Sequence, residues 1–558
     1  MSDEGEWQTQ TSKKNQWHNQ SNDDSSNNHK SNKAQKSKTE DETTAIPDQV
    51  KQYLTSFQKL LSSQSGSDEY RGDELLSYYD SQFNKISEKY FTTTTWPSEK
   101  AVAPLVDNDE LFLTLYNQLA TRHLVTKHTS KVTYKLRAQS YGTYESFFDS
   151  VSYGEVNFDL PSQWLWDIMD EFIYYFQSFS QYRQKRLSAQ QQPSDAASLE
   201  ELEQLKQDKV WSLRGVLDIL ENLINKSKIR STLQNKEPLS TSGSKHVLQT
   251  LGYFSLIGLL RVNSLVGDYY GALQAVDCIE DMYKVEGSVH HRVLACHATL
   301  FYYVGYAYLV MRRYNDAVRC LASILNYLNR NKQIYNKSYQ YDNMIRLSEQ
   351  CYALLAIALT LYPQRVDPNV RNTLREMYGE KMRRMQRSLL SNNGTNDAFA
   401  IIEELLRFAC PKFISPHLPS NGDFVKLQIK TFVHEAKQQK HCANMKSYLK
   451  LYSTISLDKL ADQLETDSDT FRQNLTCLKH KSRQVVRAED QSDHHGVVDS
   501  ANAVGGPLSG DLANASDAEF YVEGDVVRVA DFKPYKHYGE WFIYNIHKFE
   551  NIIENLEK

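Results

Sequence analysis

The first 45 residues contain no Leu, Ile or Val. A stretch of Ser, Asn, Gln, Lys and Asp with so little apolar area cannot offset its ordering entropy. Residues 1–45 are therefore expected to form a disordered polar tail, with order starting near Ile46–Pro47. Closely spaced cysteine is also missing. The seven cysteines, at 278, 296, 320, 351, 410, 442 and 477, have no neighbour nearer than 18 positions. That spacing excludes CxxC redox pairs and zinc knuckles, and an odd number of scattered thiols predicts reduced, mostly buried cysteines in a cytoplasmic protein. No GxxxxGK[ST] or GxGxxG loop is present, nor HExxH, GxSxG or an EF-hand loop. Those phosphate, zinc, acyl-transfer and calcium chemistries have no sequence basis here. No catalytic residues, cofactor, metal or small-molecule substrate are expected, and the chain is read as a non-enzyme.

Excess charge is likewise absent. The chain has 558 residues, 64 basic and 69 acidic, for a net charge of −5. Such balance exerts no global pull on nucleic acid or anionic lipid, so any basic surface must be local. One run, Val293–Met311, has no Asp, Glu, Lys or Arg, but it holds His297, Thr299, Gly305 and four tyrosines. A buried helix explains it better than a membrane span.

Helical periodicity is what the sequence does have, from about 46 to 482, with almost no strand-type alternation. Breaks near 188–198, 236–245 and 410–423 mark linkers. This predicts an all-α protein of stacked helices. Tyr269–Ile279 and Tyr314–Ile324 align at an offset of 45 as Tyr-x-x-Ala, two apolar positions, then Ile. Each copy follows an apolar helix, at 246–265 and 293–311, which contain Gly258 and Gly305. Small residues there let helices approach closely, as in tetratricopeptide-like repeats. A third apolar helix at 351–363 continues the series.

Eight of the nineteen residues from Trp164 to Tyr182 are aromatic. Leu165, Ile168, Phe172, Phe176 and Phe179 share a helical face, and Trp164, Trp166, Tyr174, Tyr175 and Tyr182 widen it. This is read as packing between layers rather than a ligand cage. Asp167, Asp170 and Glu171 are read as an acidic cluster in the helix's first turn, favoured by its dipole. The His290–His291 and His494–His495 pairs are read as exposed and metal-free.

After residue 442 the pattern changes to three short helices, with Ser456 placed to cap the second and Phe471, Leu475 and Leu478 lining the third. Residues 487–518 read as a loop, and two short strands around Glu523–Gly524 read as a hairpin. This is the order of a winged helix. Its third helix carries Arg472, Lys479, Lys481, Arg483 and Arg487 with no acid between Phe471 and Arg487. Those five are candidates for RNA-phosphate contact, although a basic helix end is also an ordinary dipole partner and winged helices commonly dock protein, which is the preferred reading. Lys381, Arg383, Arg384 and Arg387 are read as a solvated basic face. In the last helix, Phe542, Ile546, Phe549, Ile553 and Leu556 recur at spacings of 4, 3, 4 and 3, and Trp541, Ile543 and Ile552 widen the stripe. Such a seam suits a helix bundle with partner subunits, or docking on its own winged helix.

The layout of helical repeats ending in a winged helix resembles PCI-domain proteins. The strings LPSQWLWDIMDEFIYYFQSFSQYR, LGYFSLIGLLRVNSLVGDYYGAL, YYVGYAYLVMRRYNDAVR, ALLAIALTLYP, CPKFISP, YGEWFIYNIHKFE and TWPSEKAVAPLV closely resemble one such family, subunit L of eukaryotic translation initiation factor three. The resemblance runs from about Ile46 to Lys558. The tail departs from the family's acidic, Tyr-rich extension, and the 487–518 loop is longer, so no role for either carries over. The breaks and pattern changes divide the chain, beyond the 1–45 tail, into 46–240 (helical), 241–441 (tetratricopeptide-like), 442–535 (winged helix with the 487–518 loop) and 536–558 (bundle helix). The resemblance implies a non-catalytic scaffold subunit that contacts subunits K and E. The complex binds the small ribosomal subunit and helps recruit initiator tRNA and mRNA in the cytoplasm. A subunit of another PCI complex, of proteasome-lid or signalosome type, is the alternative.

Overall fold

A computed structural model describes residues 46–62, 82–92, 94–127, 133–153, 160–188, 196–207, 209–237, 239–240, 243–279, 282–283, 289–332, 341–390, 397–415, 423–440, 442–486, 506–514 and 519–530, together with Ile546, Phe549, Glu550 and Ile553. The 1–45 tail, His494–His495 and Arg487 lie outside these residues.

The first helices are α1 (Asp48–Ser62), α2 (Asn84–Tyr90), α3 (Glu99–Val102), α4 (Glu110–Lys127), α5 (Tyr134–Tyr153), α6 (Ser162–Ser188), α7 (Ala196–Lys206), α8 (Leu213–Ser227) and α9 (Ile229–Gln234). The stack continues through α10 (Gly243–Val266), α11 (Tyr269–Ala275), α12 (Val289–Arg292), α13 (Leu294–Val310), α14 (Tyr314–Arg330), α15 (Tyr341–Leu361), α16 (Pro368–Leu390), α17 (Asp397–Ala409) and α18 (Phe424–Gln438). The protein is an all-α stack of helices over this range. One continuous apolar core runs from Ile46 to Ala436. Ser212, Asp268 and Asp423 cap α8, α11 and α18 by accepting from Gly215, Gly271 and Val425 amides.

The aromatic stretch is the hub of that core. Leu165, Ile168, Phe172, Phe176 and Phe179 are all buried. Trp166 meets Phe254 of α10 edge-on at 5.3 Å, Phe172 meets Phe148 of α5 at 5.1 Å, and Trp164 lies 5.8 Å from Phe57 of α1. The helix thus touches three neighbours, which is why it is apolar around most of its girth; Tyr174 alone of the aromatics is exposed.

The repeat signal marks real close packing. α10 precedes α11 and α13 precedes α14, and Ala272 and Ala317 are fully buried. A Cβ on Gly258 would lie 3.2 Å from Leu220 and Ile173, and one on Gly305 would lie 2.9 Å from Leu321. Both repeat tyrosines reach α18 or its C-cap: Tyr269 Oη donates to Gln428 at 3.3 Å, and Tyr314 Oη accepts from Gln439 Nε2 at 2.9 Å. The uncharged run becomes α13, buried almost all round by α10, α11, α14 and α15. α15 is long and apolar enough by composition to cross a membrane, and it too is largely buried, from Cys351 to Thr360.

A second, smaller core begins at Cys442. It joins α19 (Cys442–Leu449), β1 (Thr454–Ser456), α20 (Leu457–Gln463), α21 (Ser468–Ser482), β2 (Arg483–Val486), β3 (Asp511–Asn514), β4 (Glu519–Glu523) and β5 (Val526–Ala530). The sheet order β1-β5-β4 is antiparallel, and β2 pairs separately with β3, from Arg483–Asn514 to Val486–Asp511. Gly524 (φ +63°) makes the two-residue β4–β5 turn, where left-handed backbone is needed.

Several sequence expectations need correction. Residues 511–514 are a strand, not loop, because the Val485–Leu512 register extends the end of α21 into a ribbon. Ser456 stands at the cap position of α20 but makes no side-chain cap. It is held in β1, and the next amide, Leu457, donates instead to the Asp525 carbonyl at 2.8 Å. The acidic cluster is not in the first turn of α6, which begins at Ser162. Asp170 and Glu171 pair across helices, as described next, while Asp167 accepts from Gln163 of its own helix at 3.1 Å.

Candidate functional site: a basic groove and an apolar terminal seam

The charged groups inside the stack do structural work. Glu171 accepts from Arg122 of α4 at 2.7 Å and lies within 3.4 Å of Gln118 and 3.3 Å of the Tyr144 hydroxyl. Burial pushes its carboxyl up to about 7, against the opposing pull of Arg122. Asp170 forms an ion pair with the buried Arg261 of α10. These are fixed links between layers. His290 corrects the expectation of exposure: it is buried, accepting at Nδ1 from Tyr253 Oη at 2.6 Å, with Nε2 3.3 Å from the Met282 carbonyl. It stacks on His297 at 5.2 Å, which in turn meets Tyr327 at 4.5 Å. The reason is its neighbour: the His290 ring lies against Tyr253 of α10 with centroids 6.1 Å apart, while His291 stays half-buried. Burial lowers the basicity of His290 to about 4 and of His297 to about 2. Among the described residues, no group of three or more His, Cys, Asp or Glu is placed to hold a metal ion. No disulfide joins the seven cysteines, and burial raises the thiol pKa of Cys278, Cys410 and Cys442 to about 11.

Two surfaces remain. On the small module, Leu475, Thr476, Lys479, His480 and Arg483 of α21 and β2 face Phe520 and Val522 of β4 across a groove of about 240 Å³. α21 supplies its buried Phe471, Leu475 and Leu478 to the module core, which leaves Lys479 and His480 at the rim. Lys479 Nζ also donates to the Phe520 carbonyl at 3.2 Å and stands over that ring at 5.8 Å. The structure separates the basic candidates. Arg472 pairs with Asp525 at 2.7 Å. Lys481 points to the stack, paired with Glu435 of α18, which also receives Arg312 at 3.7 Å. Arg483 is exposed at the groove. Sequence reasoning placed the basic residues on one helix but missed Phe520 and Val522, because only the hairpin register brings β4 beside α21. On α16, Arg383 Nε donates to the Gly379 carbonyl at 3.2 Å and Lys381 pairs with Glu404 at 3.1 Å, while Arg384 and Arg387 are exposed.

The second surface is the chain's C-terminal segment. Trp541, Phe542, Ile552 and Leu556 lie outside the described residues. Ile546, Phe549 and Ile553 are 54%, 62% and 53% exposed. At spacings of three and four they share one helical side.

The architecture is that of a stacked-helix protein ended by a small helix-and-sheet module, with apolar side chains exposed beyond it. Comparison with known proteins places it further. The family model described as RNA polymerase I-associated factor PAF67 matches residues 136–549. Eukaryotic translation initiation factor 3 subunit L of Nematostella vectensis is 38% identical over 531 residues, covering 92% of this chain and 93% of that protein. The Danio rerio protein of the same name is 38% identical over 546 residues, covering 92% and 89%. The Homo sapiens one is 39% identical over 500 residues, covering 86% and 82%. The chain belongs to this family, that of eukaryotic translation initiation factor 3 subunit L.

Proposed function

We propose that this chain is a subunit of eukaryotic translation initiation factor 3 and acts as its non-catalytic scaffold. Its helical stack and winged-helix PCI module hold neighbouring subunits, K and E among them. The assembled complex binds the small ribosomal subunit in the cytoplasm and supports recruitment of initiator tRNA and mRNA. The observation that carries the reading is the exposure of Ile546, Phe549 and Ile553. Three large apolar side chains on one helical side, each more than half open to water in the isolated chain, are a contact surface awaiting a partner. The same exposure argues against docking on the chain's own module. Trp541, Phe542, Ile552 and Leu556 are proposed to complete the seam.

The test is Phe549→Asp with Ile553→Asp. Carboxylates placed in an apolar bundle are strongly disfavoured unless paired. Pull-down from cytosol should lose subunits K and E, while circular dichroism of the isolated chain keeps the wild-type helical signal. Normal incorporation of the double variant refutes the seam. Recovery of proteolytic-complex subunits in place of initiation-factor subunits refutes the assignment to this complex.

Direct RNA contact is proposed in a narrower form than five basic residues. Lys479, which also donates to the Phe520 carbonyl, and Arg483 line the groove, whereas Arg472 and Lys481 are ion-paired with Asp525 and Glu435. The position of Arg487 lies outside the described residues.

A further inference from the structure

Residues 506–510, Gly-Pro-Leu-Ser-Gly, precede β3 yet rest on the helical stack rather than on their own module. The receiving notch is built around Arg313, in the turn between α13 and α14, whose side chain is only 3% exposed. Arg313 Nε donates to Asp316 Oδ2 at 2.7 Å, which fixes the guanidinium and balances its charge. Nη1 donates to Pro507 O at 3.1 Å, and Nη2, which also pairs with Asp316 Oδ2, donates to Ser509 O at 2.9 Å. Tyr308 Oη donates to the same Pro507 carbonyl at 2.7 Å, and its ring lies 4.8 Å from the guanidinium. From the other side, the Leu508 amide donates to Asp277 Oδ1 at 3.0 Å.

Side chains complete the fit. Pro507 is buried, and Leu508 packs on the main core. A Cβ at Gly506 would stand 2.3 Å from Asp277 Oδ1 and 2.4 Å from its carbonyl oxygen, so glycine is required for the approach. The Ser509 amide and hydroxyl both donate to the Gly506 carbonyl, at 3.0 and 2.6 Å, closing the segment into a turn. Buried polar groups matched this completely form a specific site and not a chance contact.

We propose that the Asp277–Tyr308–Arg313 notch is a peptide-binding site for this chain's own Gly506–Ser509 segment, a latch that fixes the terminal module on the helical stack. The module is otherwise held near one end, by the short link between α18 and α19, by α19 packing on α16 with Lys446 over the Tyr362 ring, by the Cys477 thiol on the Gln438 carbonyl and by the Lys481–Glu435 pair. The latch adds a second anchor, because β3 follows it directly and pairs with β2, the continuation of α21. Two anchors present the Lys479–Arg483 groove in one orientation. This inference does not rest on the proposed subunit role.

The test uses the full chain with Gly506→Val and, separately, Leu508→Asp, which leave Arg313 and Asp316 in place. Hydrogen exchange should show residues 506–514 protected in the wild type. Each variant should exchange there about ten-fold faster or more, while 294–330 keeps its protection. Label pairs at Arg375 and Lys459 should give a narrow distance distribution in the wild type and a broader one in both variants. Equal exchange of 506–514 in wild type and variants would overturn the latch, as would equal distance widths. Loss of protection across 294–330 would also overturn it, since the segment would then be part of the stack's core. Slowed exchange of the variant notch on adding a peptide of residues 506–514 would support it further.

Discussion

Acidification from pH 6.5 to 5 should destabilise this protein by about 2 kcal/mol, through its buried histidines. The signs follow from the shifts. His290 and His297 have folded pKa values pushed down, to about 4 and about 2, below the ordinary 6.5. Their stabilising effect is therefore complete above pH 6.5 and is lost as pH falls, because the unfolded chain binds protons that the folded one refuses. Each histidine withdraws up to about 1.4 kcal/mol per pH unit across that window. Glu171 acts oppositely. Its folded pKa is raised from 4.5 to about 7, so it destabilises the fold as pH rises from 4.5 to 7 and relieves it on acidification. Two deeply buried histidines, with His291 shifted the same way by its partial burial, outweigh one carboxyl and leave a net loss on the order of 1 kcal/mol per pH unit as pH falls from 6.5 to 4.5. The assay is urea unfolding followed by circular dichroism at pH 7, 6.5, 6, 5.5 and 5. Glu171→Gln should steepen the slope, roughly doubling it, because the opposing carboxyl is removed. His297→Phe should flatten it, since His297 Nδ1 has no hydrogen-bond partner among the described residues and the ring already packs against Phe301 at 4.6 Å. A wild-type stability that is flat or rising towards pH 5, or variants with the wild-type slope, would refute the reasoning.

Ala317 is fully buried where α14 meets its neighbours, so Ala317→Trp should overpack the stack and lower stability by about 1–3 kcal/mol or more, read as a fall in urea midpoint. Deleting residues 1–45, which contain no Leu, Ile or Val, should leave helical content and subunit co-purification unchanged; loss of partners would make the tail an interaction element. Lys479→Glu with Arg483→Glu should weaken binding of single-stranded RNA by the isolated chain about ten-fold at low salt, whereas Arg472→Glu should change it little. Equal effects from both sets would mean that the groove does not select among the basic residues.

The sequence by itself determined the helical class, because burial in a stack forces apolar residues to recur at helical spacing. It also located the repeat, since Tyr269 and Tyr314, Ala272 and Ala317, and Gly258 and Gly305 occupy positions where close approach leaves few residue choices. The identity of the family was legible in long strings such as LPSQWLWDIMDEFIYYFQSFSQYR, whose aromatics face several helices at once. Charges were another matter. Periodicity grouped Asp167, Asp170 and Glu171 on α6, but only the packing of α4 and α10 against it decided that Arg122 and Arg261 receive two of them. A polar residue needs partners, and partners from distant segments leave no local mark. The same holds for His290, whose burial depends on where α12 folds. It holds most for residues 506–514, which carry no periodicity. Their place was decided by Arg313 and Asp277, about 200 residues away in sequence, through main-chain hydrogen bonds that no side-chain pattern encodes.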